Sequence, residues 1–137
     1  MAIRFTAREV GVEEEPELEC LTAGLAEGTD GSGMVLMFMC STCEPDDQDV
    51  ALGMDTYCVV TADQGTAYGA VNEITLHEKL LRVVVAPDAL DALSLSDPEI
   101  EAVLQVSDES IEQLRSGLRR ILTYGRVDAR PSIMNLN

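Results

Sequence analysis

Between Glu9 and Glu78 the chain contains no lysine or arginine, yet 16 acidic residues fall in that stretch. Seven of the nine basic residues lie between Lys79 and Arg130, and the whole chain carries a formal charge of −16. Such a charge repels phosphate backbones and anionic headgroups, so nucleic acid and membrane surfaces are excluded as expected partners. Long apolar runs are also missing. The longest, Met34 to Cys40, has seven residues, against the ~20 that a membrane helix needs. The opening Met1–Arg8 alternates apolar and polar residues rather than leading into an apolar signal core, which predicts a cytoplasmic product. Catalytic signatures are equally scarce. His77 is the single histidine, no Gly-x-Ser-x-Gly elbow exists, and Gly31-Ser32-Gly33 lacks the third glycine of a dinucleotide loop. No catalytic residue is assigned, and an enzyme is not expected.

What is present is enough apolar material for a core. With 137 residues, 46% of them hydrophobic, the chain is expected to form one domain over 1–137. Ile3, Phe5 and Ala7 alternate with polar neighbours as in a strand with one wet face. Further strands are expected at Glu17–Ala23, entered through a turn at Glu13-Glu14-Glu15-Pro16, and at Met34–Cys40, Thr56–Thr61, Thr66–Leu76, Leu80–Ala86 and around Ile100–Val106. Pro87–Leu93 reads as a short helix with proline at its first position. The clearest helix runs from about Asp108 to Tyr124, where Ile111, Leu114, Leu118, Ile121 and Leu122 build one apolar stripe behind a Ser107 cap. The tail 126–137 is expected to be extended or frayed. The expected class is α+β: an antiparallel sheet of six or seven strands carrying one long C-terminal helix.

Several residue groups have the elements of a binding site. Cys40 and Cys43 have the spacing of half a zinc site, which Cys20, Cys58 and His77 would have to complete; a second close ligand pair is missing, so no metal site is assigned. The acidic segment Glu44–Asp49 also opposes the lowered thiol pKa that redox work requires. Asp30-Gly31-Ser32-Gly33 resembles part of a calcium loop, but Ser41 stands where the closing glutamate belongs. No cofactor is expected. Arg115, Arg119, Arg120, Arg126 and Arg130 lack interleaved aromatics beyond Tyr124 and read as helix-end complements rather than a nucleic-acid patch.

The remaining feature is an exposed acidic loop, Glu44-Pro45-Asp46-Asp47-Gln48-Asp49, followed by strands bearing tyrosines. Asp46, Asp47, Asp49 and Asp55 with Tyr57 and Tyr68 form the expected contact surface, and Glu13 to Glu19 a second acidic edge. Carboxylates steer a cationic partner and tyrosine rings supply contact area at small entropic cost. Phe38-Met39-Cys40-Ser41, the Glu44–Asp49 segment, Gly53-Met54-Asp55-Thr56-Tyr57-Cys58, Gln64-Gly65 with Tyr68-Gly69, and Leu118–Gly125 together resemble the tenth immunity-protein family of bacterial polymorphic toxin systems. That resemblance implies a small cytoplasmic protein that binds and neutralises a cognate toxin and has no catalytic residues. The acidic surface suits a cationic, nuclease-like toxin domain. A small Cys-ligated zinc or regulatory protein is the alternative, and the sequence leaves homodimerisation open.

Overall fold

The computed structural model describes residues 3–15, 17, 20–28, 33–41, 47–51, 56–61, 65–124 and 130–136. In chain order the elements are β1 (Ile3–Ala7), β2 (Glu9–Glu15), β3 (Cys20–Ala26), β4 (Val35–Ser41), α1 (Asp47–Ala51), β5 (Cys58–Thr61), β6 (Thr66–Tyr68), β7 (Val71–His77) and β8 (Leu80–Val85). A 3-10 turn at Pro87–Ala89 then runs into α2 (Leu90–Leu93), followed by β9 (Glu99–Leu104), α3 (Asp108–Leu122) and β10 (Ile133–Asn135). The strands form two five-stranded sheets, ordered β1-β9-β8-β7-β10 and β2-β3-β4-β5-β6.

This corrects the expected α+β class with its one antiparallel sheet and long C-terminal helix. The chain is mostly sheet, divided in two, and the first sheet is mixed: β1 runs parallel to β9, and β10 parallel to β7. The 15-residue α3 does not end the fold, because β10 follows it and closes the edge of the first sheet. Two corners make the division. At Arg8 the chain leaves β1 for β2, its N–H donating to the Ala26 carbonyl at 2.9 Å while Ala7 accepts from Gln105. The expected single strand over Thr66–Leu76 breaks at Gly69, whose φ of +62° suits a residue without Cβ, and the chain passes from β6 into β7 of the other sheet.

Alternation dictates the layering. Leu21, Ala23 and Leu25 on β3, and Leu36, Phe38 and Cys40 on β4, are buried, while the residues between them are only partly covered. The inner faces of both sheets and α3 share one hydrophobic cluster. Ser107 caps α3 by accepting the Ser110 N–H at 3.2 Å, worth about 1 kcal/mol. The five large apolar residues on its buried stripe contribute roughly 2 kcal/mol each, so packing against β2, β3 and β4 rather than the cap anchors it. Gly117 permits the close approach: a Cβ there would lie 3.0 Å from Val12 Cγ1. No helix among the described residues is long and apolar enough to cross a membrane.

Candidate partner-binding face

With α3 on one side of the second sheet, the other side faces outward, and the strand register shows what it presents. Glu13, Thr22, Met39, Cys58 and Tyr68 form one cross-strand row, and Gly11, Gly24, Met37, Val60 and Thr66 the next. Glu9, Ala26 and Val35 flank the second row, and Glu15, Cys20 and Ser41 the first. All of these residues are exposed or half-buried. The face is therefore small-chained across β3 and largely apolar across β4, with a column of carboxylates along the edge strand β2.

An open trough of about 490 Å³ runs over β2, β3 and β4 on this side. Its floor is the neighbouring pair Gly11 and Gly24. A Cβ on Gly11 would meet nothing within 4 Å, whereas one on Gly24 would lie 3.3 Å from Met37 Cγ, so the Met37 side chain lies against that glycine.

The outward charges of the two sheets are handled differently. On the first sheet Arg4 pairs with Glu101 at 3.1 Å, and Arg82 pairs with Glu73 at 3.5 Å and with Glu99. On the second sheet no lysine or arginine stands in the rows of the outer face beside Glu9, Glu13 and Glu15. Glu14, which points to the opposite side, is met by Arg120 at 3.3 Å.

A family model described as immunity protein 10 matches residues 6–112. The chain belongs to the immunity protein 10 family. No curated protein and no solved structure matched the sequence. The matched stretch contains every strand of the outward-facing sheet, and membership implies a cognate toxin as partner.

The residues expected at the contact surface do not all reach one place. Tyr68 is on the outer face of β6 and 41% exposed. Tyr57 is corrected from a surface position to the core: it is 0% exposed, its hydroxyl accepting the Val71 N–H at 3.1 Å and donating to the Val71 carbonyl at 3.3 Å. Burial pushes its phenol up to about 12. The expected loop becomes helical from Asp47, which is exposed at the start of α1; Asp49 is on the same helix, its side chain outside the described residues. Asp46 and Asp55 also lie outside the described residues. Of the second acidic edge, Glu13, Glu14 and Glu15 belong to β2 rather than to a turn. Alternation of Val10 and Val12 with polar or small neighbours was the available signal for that strand.

Three of the four cysteines fall among the described residues. Cys20, Cys40 and Cys58 are free thiols. Burial, with a smaller contribution from Cys20, pushes both Cys40 and Cys58 up to about 11, away from the thiolate that attacks a disulfide. Cys43 lies outside the described residues, and among those described no three metal-ligating groups converge. The arginines near α3 have structural partners: Arg115 pairs with Glu112, while Arg119 and Arg130 donate to the Leu136 and Thr123 carbonyls. Arg126 is outside the described residues, and His77 is exposed at the end of β7.

Proposed function

We propose that this chain is a cytoplasmic, non-catalytic inhibitor that binds a cognate bacterial toxin and blocks its action. The family match over residues 6–112 carries the reading. The charge distribution supports it: an acidic protein surface is matched to a toxin domain whose own cleft is positive because it handles phosphates. In this mechanism carboxylates stand where phosphates would be, and no bond is made or broken by the inhibitor. Asp46, Asp47, Asp49 and Asp55, with Tyr68, are the proposed acidic contact region, now without Tyr57.

The test uses the toxin domain encoded by the neighbouring open reading frame. Co-expression is expected to restore growth, and the purified proteins to associate with a rate that falls steeply as salt rises. Changing Asp46, Asp47 and Asp49 together to Asn is expected to slow association. Failure to bind and to protect overturns the reading; binding with a flat salt response removes its electrostatic part.

A further inference from the structure

We infer that the toxin docks on the outer face of the β2–β6 sheet, inserting a bulky apolar side chain over Gly11 and Gly24 while neighbouring basic residues meet Glu9, Glu13 and Glu15. This rests on the toxin-inhibitor reading above and names the surface and the chemistry of the segment it takes.

Gly11 is the first observation. Glycine weakens a strand, and within one it marks a bulge, a bend or a close approach by another group. Here the β2–β3 register passes through Gly11 and Gly24 without a bulge, and a Cβ on Gly11 would sit in open space. The fold itself makes no demand for this glycine. A group arriving from outside does, because the missing side chain of Gly11 is what opens the trough, Met37 already lying against Gly24.

The second observation is the lining. Val35, Met37, Met39 and Val60 line up across β4 and β5 beside the trough, all half-buried. Methionine adapts its shape to an incoming apolar group at little cost. The third is charge. Three carboxylates project from alternate positions of β2 onto the same side, and the rows beside them hold no cation. The first sheet neutralises its outward glutamates with Arg4 and Arg82, so the unmatched column on the second sheet is suited to a partner that brings lysine or arginine. Apolar floor and anionic rim together select an amphipathic, basic segment of polypeptide.

The experiment compares wild-type protein with Gly11→Trp, which fills the trough, and with Thr22→Arg, which puts a cation opposite Glu13. Affinity for the toxin domain from the neighbouring reading frame is measured by calorimetry, folding by thermal denaturation, and self-association by sedimentation without toxin. The expected result is at least a tenfold loss of affinity in both variants with the unfolding transition retained. A triple Glu9→Gln, Glu13→Gln, Glu15→Gln variant is expected to associate more slowly and with a weaker salt dependence. If wild type protects and both trough variants bind within twofold of it, the docking surface is elsewhere and this inference alone falls. Loss of a homodimer in the variants with unchanged toxin affinity overturns it too, making the face a contact between copies of this chain. A wild type that neither binds nor protects removes the functional reading itself.

Discussion

Tyr57→Phe separates a structural role for this tyrosine from a contact role. The ring is fully buried and its hydroxyl serves both the N–H and the carbonyl of Val71. One hydroxyl can do so because a strand residue points both backbone groups to the same side. Val71 opens β7, beside the bulge between Val71 and Glu73, while β10 pairs only with Glu73–Thr75 further along. The phenol thus takes the place of a strand at that end of the edge. Removing its oxygen keeps the packing but leaves two buried backbone groups without this partner, at about 1–3 kcal/mol for an unsatisfied group. A net loss of about 2 kcal/mol is expected, the carbonyl being the more easily accommodated of the two. For a chain of this length that corresponds to a fall in Tm of roughly 8 °C. Thermal and urea denaturation measure it, and toxin affinity should be unchanged at temperatures where the variant is folded. A variant with an unshifted transition and weakened toxin binding would refute the argument, because it would put the hydroxyl at the interface.

Burial of the thiols and of the phenol makes stability depend on pH. Cys40 and Cys58 are pushed up to about 11 from an ordinary 9.0, and Tyr57 to about 12 from 10.0. The native state therefore holds protons that the unfolded chain releases, so their contribution is complete below pH 9 and lost as pH climbs through 11 to 12. Urea midpoints should show that alkaline decline, and a C40A/C58A variant should show less of it between pH 9 and 11. Gly65→Ala would place a Cβ 2.8 Å from the Leu93 Cα and nearer still to the Ala92 carbonyl oxygen. Backbone on the receiving side cannot turn aside, so a loss of about 3 kcal/mol is expected. Gly11→Ala, entering open space, should be neutral or stabilising by a few tenths of a kcal/mol; denaturation of the pair checks the contrast.

Local patterns placed several strands close to where they lie. Met34–Cys40 was expected and β4 is Val35–Ser41; Leu80–Ala86 was expected and β8 is Leu80–Val85. In both, burial alternates along the segment, so neighbours in sequence carry the signal. β2 was obscured because three consecutive glutamates before Pro16 have the composition of a turn, and only its pairing with β3 shows them as an edge. The pieces of Thr66–Leu76 share strand-forming residues on both sides of Gly69, which hides a corner between two sheets. Tyr57 was misplaced for a related reason: tyrosine is amphipathic, and whether its hydroxyl meets solvent or Val71 depends on a segment 14 residues away.

The amino-acid order alone determined the charge asymmetry, the absence of catalytic and membrane signatures, the positions of several strands and the likeness to an immunity-protein family, since each depends on composition or on residues near one another in the chain. The division into two sheets, the parallel pairing of β1 with β9 and of β10 with β7, the core position of Tyr57 and the glycine-floored outer face were decided only by tertiary structure. Each of these depends on which strands become neighbours, and hydrogen-bond pairing over long chain separations leaves no local period to read.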